Sequence, residues 1–209
     1  MGEPSPAPML RLPFSVESYD AAPIVTERLV LRPLSENDVA DVYEYQRLDE
    51  VLRFIPWPRR TAQEGAEHTR KRAGMRTLAA DSDAVFFACV LPGEPSLFGD
   101  GGDRVIGDVM LRLSDADNAD VEIGWVFHPD FAGRGYATEA SAAVLALAFE
   151  QLDAHRVHAQ LDPVNTASAA LCTRLGMRHE GTTRETFYDK GAWSDSAFYG
   201  ILRSEFDAR

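Results

Sequence analysis

The segment richest in chemical information is "HPDFAGRGYATEASAAVL", residues 128–145, in which Gly133 and Gly135 flank Arg134 directly before a helical run. Glycine costs about 0.5–1 kcal/mol relative to alanine inside an element, so this spacing indicates a sharp bend or the close approach of a ligand. The first amides of a helix lack internal partners and carry partial positive charge. The segment can therefore bind an anion, with a plain turn as the alternative.

Two familiar phosphate-binding motifs do not fit this segment. A Walker-type loop requires Lys followed by Ser or Thr after its second glycine, and "GRGYAT" has neither. A dinucleotide fingerprint requires a third glycine at the position of Thr138. Hydrogen bonds to a charged group contribute about 1.5–3 kcal/mol each, so a few amides can anchor a pyrophosphate. The segment therefore predicts a pyrophosphate site formed by a strand, a short loop with the glycine pair and the start of a helix, and not by either of these two motifs.

The elements around the loop predict a layered domain that holds it in place. Ser35 with Asp38, and Thr61 with Glu64, are capping patterns that start two helices, and Asn165 is a predicted N-cap of a later one. Alternating apolar residues predict the strands. The predicted strands span 26–34, 85–91, 104–113, 119–127, 156–161, 178–188 and 196–202, and the helices span 35–48, 61–79, 138–152 and 165–177. This order predicts an α/β or α+β fold, with helices on the faces of a mixed sheet.

Composition limits the function classes. The chain has 209 residues with 33 acids and 21 bases, and its net charge of −12 argues against direct nucleic-acid binding and suits a cationic substrate. It lacks the roughly 18 consecutive apolar residues of a membrane span and the features of a signal peptide, so we expect a cytoplasmic protein. Cys89 and Cys172 lie in apolar surroundings typical of core residues. Residues 1–22 are proline-rich and predict a loosely attached arm before a single domain, 23–209.

Three stretches carry a family resemblance: "DVEIGWVFHPDFAGRGYATEA", "RVHAQLDPVNTASAALCTRLGMRHEG" and "GAWSDSAFYGIL". They resemble the GNAT acetyltransferases, and most closely the RimJ/RimL-type branch, whose members acetylate protein N-terminal amines or small amines. The resemblance extends from "TERLVLRPL" to the last strand, with Asp130 where many GNAT members have Gln or Arg. It implies a mostly antiparallel central sheet of about six to seven strands flanked by helices and splayed between the fourth and fifth strands.

The resemblance also implies that acetyl-CoA lies in the splay. The main chain at Val126, Phe127 and His128 would run beside the pantetheine arm, and Asn165 and Ser168 would lie near the pantetheine and the sulfur. We expect the His128 side chain in solvent. The implied pyrophosphate-binding backbone comprises Gly133, Arg134, Gly135, Tyr136, Ala137 and Thr138. No metal site is predicted, since His155 and His158 fall on opposite faces of a strand.

Acetyl transfer to an amine requires a neutral nitrogen. An alkyl ammonium with a pKa near 10.4 is neutral in about one molecule in 10³ at pH 7, whereas an α-amine is neutral in roughly one in ten. The resemblance implies Glu122 as the base, directly or through water; a half-buried glutamate satisfied by a neighbour is the alternative. It favours Ser168 as the proton donor to the leaving thiolate, with Tyr136 as second choice. A helix-start serine is the other interpretation of Ser168.

The predicted function is acetyl-CoA-dependent N-acetylation of a primary amine, on a protein N-terminus or a small molecule, in a ternary complex. The alternatives are a GNAT-like module that binds acetyl-CoA as a sensor or scaffold, and an acyltransferase for a longer acyl-CoA. The first two helices and "FIPWPRR" are expected to form the acceptor wall, with Phe54 and Trp57 as contacts or core residues. The basic stretch "RKRAGMR" predicts a solvated helix face. A homodimer is a family-level expectation.

Overall fold

The computed structural model describes residues 9–97 and 102–209. Within these ranges, a central sheet of eight strands has the order β2-β3-β5-β6-β7-β8-β10-β9, and a small second sheet pairs β1 with β4. The strands are β1 (Phe14–Ser15), β2 (Ile24–Val25), β3 (Val30–Pro33), β4 (Thr77–Leu78), β5 (Ala84–Pro95), β6 (Asp103–Asp115), β7 (Asp120–Phe127), β8 (Arg156–Leu161), β9 (Arg178–Asp189) and β10 (Ala192–Leu202). The helices are α1 (Ser18–Ala21), α2 (Val39–Gln46), α3 (Asp49–Leu52), α4 (Ala62–Ala73), α5 (Tyr136–Glu150), α6 (Thr166–Arg174) and α7 (Arg203–Phe206).

The central sheet is split between two neighbouring strands. All its strand pairs are antiparallel except β7 with β8, the predicted fourth and fifth strands, which run parallel with α5 between them in the chain. Their pairing covers only Asp120 to Glu122 on β7. Beyond that point β7 continues to Phe127 without pairing to β8, so the predicted splay is confirmed. The mixed, mostly antiparallel fold is confirmed with it.

The core lies between the sheet and the helix that connects these two strands. Val144, Leu145, Ala148 and Phe149 of α5 are fully buried, in the helical spacing that the sequence predicts. Cys172 is also buried, as is Cys89 on β5, and burial raises the pKa of both thiols. Both cysteines are therefore core residues, as predicted. The packed helix fixes the position of the loop that precedes it.

The start of the described chain is attached to the domain. Val16 is 1% exposed, and its amide donates to the carbonyl of Arg76. The Arg11 amide donates to the carbonyl of Leu152 at 2.9 Å. Leu10, Leu12 and Phe14 pack against the main core, so residues 9–22 differ from the expected loose arm. Their alternating apolar residues lie among prolines and give a weak signal; residues 1–8 lie outside the described residues.

The helix ends follow the predicted capping chemistry. Both capping boxes form, Ser35 with Asp38 and Thr61 with Glu64. The Asn165 side chain accepts a hydrogen bond from the Ser168 amide at 3.1 Å and caps α6. The helix after Thr61 ends at Ala73 rather than at 79, with glycine at the C-cap, and β4 follows it. Sequence patterns therefore located helix starts better than helix ends.

Candidate active site

The glycine loop has a backbone that other residues adopt only with strain. Gly133 has φ 73° and Gly135 has φ 85°, both in the left-handed region. An added Cβ at Gly133 would meet no atom within 4 Å, so the loop is open on that side. α5 begins at Tyr136, and no side chain caps its N-terminus. The loop therefore presents a helix N-terminus with uncapped amides, which is an anion-binding geometry.

A carboxylate inside the first turn of α5 holds this loop against the start of the sheet. Glu139 accepts hydrogen bonds from Thr26 Oγ1 at 2.6 Å, from the Arg28 amide at 2.7 Å and from Arg28 Nε at 2.7 Å. Arg28 Nη1 also donates to the carbonyl of Arg134 at 2.8 Å. Burial disfavours the Glu139 carboxylate, but these hydrogen bonds outweigh it and lower the pKa of the side chain. We call Thr26, Arg28 and Glu139 the loop clamp; the sequence analysis missed it.

A cavity of about 510 Å³ lies where β7 and β8 separate, within the size range of small-molecule sites. Its lining combines both strands with the chain between α3 and α4, with α6 and with the β9–β10 hairpin. The predicted residues that line it are Phe54, Trp57, Glu122, Val126, Asn165 and Ser168. Phe127, His128 and the loop residues 133–138 are not part of the lining. The structure therefore brings the predicted catalytic pair into one cavity and leaves the glycine loop outside it.

The main chain of β7 offers its free peptide groups on alternate residues. The His128 amide donates to the Ile106 carbonyl of the neighbouring strand β6 at 2.8 Å. In an antiparallel pair the bonded residues alternate, so Val126, two residues earlier, also directs its peptide groups toward β6. Trp125 and Phe127 direct theirs toward the gap left by β8. Of the three residues predicted to contact the pantetheine arm through their main chain, only Phe127 directs its peptide groups toward the splay.

The side chain of His128 has a structural role. It is 6% exposed, and its Nδ1 accepts a hydrogen bond from the Asp130 amide at 3.1 Å. Its ring packs edge-on against Phe131. The histidine thereby caps the turn at Pro129–Phe131 that leads into the glycine loop. The expectation of a solvated loop histidine is wrong, because the turn folds back over the imidazole.

Glu122 lies on the cavity floor with one oxygen committed. It is the cross-strand neighbour of Arg112, and its Oε2 accepts from Arg112 Nη2. The Glu122 side chain is 13% exposed, whereas that of Arg112 is 45% exposed. Within the described residues no donor is bonded to Oε1. The alternative prediction, a glutamate whose carboxylate is satisfied by a neighbour, therefore holds for Oε2 alone. Oε1 has no donor among the described residues and can accept a proton.

Ser168 is fixed from two sides in the first turn of α6. Its amide is bound by Asn165, and its Oγ accepts a hydrogen bond from Trp125 Nε1 at 3.3 Å. An oxygen that accepts from the indole keeps its own O–H for donation. Tyr136, the second predicted donor, does not line the cavity, and its ring lies 4.6 Å from the Arg28 guanidinium carbon. Trp125 was missed by the sequence analysis, although its place in the strand before the loop was predicted.

The far end of the cavity contains a buried ion pair. Arg72 of α4 is 4% exposed and contacts Asp108 of β6, which is 2% exposed. Tyr45 donates to the other carboxylate oxygen of Asp108 at 2.6 Å, and burial raises the pKa of the phenol. The expectation that the basic stretch is a solvated face is therefore wrong at Arg72. The spacing of Gly65, Thr69 and Arg72, which share the buried face of α4, is the signal that could have found it.

The described residues contain neither a cluster that could hold a metal ion nor a helix that could span a membrane. His158 Nδ1 lies 3.0 Å from Asp120 Oδ1. No group of three or more His, Cys, Asp or Glu side chains in the described part of the chain is arranged to hold a metal ion. None of the helices in residues 9–97 and 102–209 has the length and apolar character needed to cross a membrane.

Comparisons with known proteins agree with this geometry. Residues 28–178 match the acetyltransferase (GNAT) domain family. The N-acetyltransferase YnaD of Bacillus subtilis (strain 168), itself uncharacterized, is 30% identical over 184 residues, which cover 88% of this chain and 99% of YnaD. A crystal structure of a GNAT-family acetyltransferase from Bacillus anthracis is 30% identical, with a TM-score of 0.74 over 87% of this chain and 99% of that one.

A more distant structure shares the fold alone. It is RimL, a ribosomal L7/L12 alpha-N-protein acetyltransferase in complex with coenzyme A, with 19% identity and a TM-score of 0.69 over 86% of this chain and 96% of RimL. The family match covers most of the chain, and several curated relatives are named as N-acetyltransferases. The chain therefore belongs to the GNAT family and is an N-acetyltransferase.

Proposed function

We propose that this enzyme transfers the acetyl group of acetyl-CoA directly to a primary amine, on a protein N-terminus or a small molecule, in a ternary complex. The observation that carries the proposal is that Glu122 and Ser168 line one cavity at the split between β7 and β8. The GNAT family generally uses acetyl-CoA, and the RimL structure contains coenzyme A. A proton acceptor and a proton donor therefore lie at the gap where the fold can admit an extended cofactor.

The residues present fit this cofactor. The uncapped start of α5 and the open space beside Gly133 suit a pyrophosphate. A Cβ added at Gly133 would point into the space that the pyrophosphate would occupy. The peptide groups of Trp125 and Phe127 suit the pantetheine arm, and Asn165 lines the cavity beside Ser168. The proposed pyrophosphate-binding backbone comprises Gly133, Arg134, Gly135, Tyr136, Ala137 and Thr138. Val126 contributes through the cavity lining, and His128 through the turn that it caps.

When bound, acetyl-CoA would supply a thioester whose C–S bond breaks as the neutral amine forms a C–N bond, and the sulfur would take up the second proton, which the nitrogen loses on becoming an amide. Glu122 Oε1 accepts the proton that the ammonium loses, directly or through water, while Arg112 holds Oε2. The Ser168 hydroxyl donates toward the leaving sulfur, since the Trp125 indole occupies an acceptor position of its oxygen. Glu122 thus acts on the proton of the attacking amine, and Ser168 acts on the proton that the leaving sulfur takes up.

The sensor or scaffold hypothesis predicts cofactor binding without turnover, and a longer acyl-CoA would change only the donor. Replacing Glu122 with Gln separates enzyme from sensor, because the amide keeps the shape of the side chain and cannot accept the proton. We expect Glu122→Gln to lower turnover at least about tenfold with nearly unchanged acetyl-CoA affinity. Steady-state release of free thiol across an amine panel measures turnover. Glu44→Gln, which breaks an exposed Glu44–Arg47 pair outside the cavity, is the matched control.

Turnover by Glu122→Gln at the wild-type rate would rule out Glu122 as the base.

The family branch, the compartment and the oligomeric state belong to the same proposal. The motif "GRGYATEA" and the RimL-like fold support the RimJ/RimL-type branch. Two buried free thiols are consistent with a reducing, cytoplasmic compartment. A homodimer is proposed from the family resemblance alone.

A further inference from the structure

The basic end of the cavity differs from an ordinary buried ion pair. Arg72 lines the cavity, and its guanidinium carbon lies 4.3 Å from the ring centroid of Phe86 and 5.6 Å from that of Trp57. The side chain is 5% exposed, so it has lost nearly all contact with solvent. A planar guanidinium that packs against aromatic rings presents its N–H groups along its edges. Arg72 is therefore a preorganised donor at the wall of the cavity.

The donors of Arg72 are incompletely satisfied. Asp108 contacts only Nη2. Nε and Nη1 are buried and have no hydrogen-bond partner within the described residues. In the planar fork, Nη2 shares one edge with Nε and the other with Nη1, so an oxyanion can bind along an edge that Asp108 leaves open. Native proteins rarely leave buried charged donors unpaired, and a ligand that completes them is the simplest explanation.

The surrounding charges favour an anion at this end. Arg53 also lines the cavity and has no carboxylate partner among the described residues. His68 lies on α4 with Arg72. Its buried Nδ1 has no hydrogen-bond partner in the part of the chain that the structure describes, and its pKa is lowered to about 4 by burial and by the neighbouring Arg60 and Arg72. The acid that contacts Arg72, Asp108, is already shared between Arg72 and the Tyr45 phenol. Arg72 therefore has more basic than acidic neighbours at this end of the cavity.

The rest of the cavity lining contains several acids, with Arg112 bonded to one of them, Glu122. Four acids line the cavity from β7, the end of β8 and the β9–β10 hairpin: Glu122, Asp162, Asp189 and Asp195. Along β7, Glu122 lies four residues from Val126, the partner of Asp108, so the main chains at the two ends are about 14 Å apart. An ammonium group fits the acidic side, and an oxyanion fits the Arg72 side. The cavity therefore suits a zwitterion that carries an ammonium group at one end and an oxyanion at the other.

We propose that the acetyl acceptor is a small amino carboxylate whose amine reacts beside Glu122 while its carboxylate is bound by the open edge of Arg72. This inference rests on the proposed acetyl transfer and names its acceptor class. It places amino acids and their homologues ahead of polyamines and aminoglycosides, which bring additional positive charge to Arg72 and leave its donors unpaired. Arg72 is then a specificity-determining residue, and the separation of the acceptor's two charges is set by the cavity.

Matched acceptor pairs test the class and the charge separation together. The pairs are glycine, β-alanine, 4-aminobutyrate, 5-aminopentanoate and the L-α-amino acids, each with its carboxamide, and spermidine and kanamycin complete the panel. Free-thiol release from acetyl-CoA gives kcat/KM for each compound. We expect the carboxylate of the best pair to exceed its amide at least about tenfold, because a buried hydrogen-bonding site discriminates against a ligand lacking the partner group. Amides, spermidine or kanamycin that match or exceed every carboxylate would overturn the proposal.

Substitution of Arg72 isolates its contribution. Arg72→Lys retains a cation beside Asp108 and removes the planar fork, so the protein is expected to fold while the preference for carboxylate over amide falls at least about tenfold, through KM rather than kcat. Arg70→Lys, on the exposed face of the same helix, is the matched control and retains the preference. A preference that is equal in Arg72→Lys and Arg70→Lys would contradict the role of Arg72.

A binding measurement separates failure of this inference from failure of the proposed transfer. The Nε–H signal of Arg72 in a ¹H–¹⁵N NMR spectrum is identified by its loss in Arg72→Lys. Titration of the cofactor-free protein with acetate is expected to move this signal saturably, whereas acetamide leaves it in place. Absence of an acetate-specific shift overturns the carboxylate site even if the enzyme acetylates amines. A shift without turnover of any acceptor supports the site and counts against the transfer.

Discussion

Trp125 Nε1 donates a hydrogen bond to Ser168 Oγ at 3.3 Å and so connects the end of β7 that β8 does not pair with to the first turn of α6. The strand and the helix form two sides of the gap left by β8. The bond fixes the serine oxygen, and Asn165 fixes the serine amide. Because the indole can only donate, the serine hydroxyl keeps its own proton for another acceptor. The tryptophan thus occupies one acceptor position of the Ser168 oxygen.

Removal of the indole donor should weaken the serine without removing it. We expect Trp125→Phe to lower kcat several-fold with little change in the KM for acetyl-CoA, and Ser168→Ala to lower kcat by about tenfold or more. The double variant should match Ser168→Ala, because the indole acts through the hydroxyl. Steady-state kinetics with free-thiol detection measures these effects. Trp193→Phe, at an exposed tryptophan, is the control, and additive losses in the double variant would contradict the coupling.

The loop clamp predicts a separable effect on cofactor binding. In Glu139→Gln the side chain loses the charge that binds Thr26 and Arg28, and each such hydrogen bond contributes about 1.5–3 kcal/mol. We expect the KM for acetyl-CoA to rise at least about tenfold while kcat changes less. Glu67→Gln, an exposed glutamate on α4 bonded to Gln63, is the control. Unchanged KM in Glu139→Gln, with correct folding shown by its thermal midpoint, would refute the role of the clamp.

His68 predicts a specific pH dependence of stability. Its pKa is lowered from 6.5 to about 4, first by burial and then by Arg60, Arg72 and Lys71. Between these values the unfolded chain holds the proton that the folded protein excludes, so the free energy of unfolding falls as the pH falls through this window. His68→Gln should make that fall shallower in urea denaturation, whereas His155→Gln, at an exposed position, should retain the wild-type slope. An equally steep fall in His68→Gln would contradict the burial effect.

The features that the sequence predicted best depend on local chemistry. The spacing of Gly133 and Gly135 indicated a sharp bend, and both residues adopt a left-handed backbone there; Asn165 caps its helix as predicted. These outcomes follow from a few neighbouring residues, because turns and caps are closed by groups close in sequence. The splay was an implication of the family resemblance, and it is confirmed by the short β7–β8 pairing.

The features that the sequence did not reveal depend on contacts between distant segments. Arg72 was assigned to solvent because its neighbours are basic, yet its partner Asp108 lies 36 positions away. The Trp125–Ser168 bond spans 43 positions, and Glu139 reaches Thr26 across 113. Local patterns contain no information on such pairs, since only the packed sheet brings them together. The contacts at the proposed acceptor end of the cavity could therefore not be predicted from the sequence alone.

Calorimetric titration of acetyl-CoA tests the central claim most directly when wild type is compared with two glycine variants. Gly133 and Gly93 both have positive φ and open space where a Cβ would lie, so alanine introduces about 1–2 kcal/mol of strain at each. Only Gly133 belongs to the proposed pyrophosphate loop. We predict saturable binding to wild type, at least about tenfold weaker binding to Gly133→Ala and near-wild-type binding to Gly93→Ala. No binding to wild type at millimolar ligand, or equal losses in the two variants, would contradict the account.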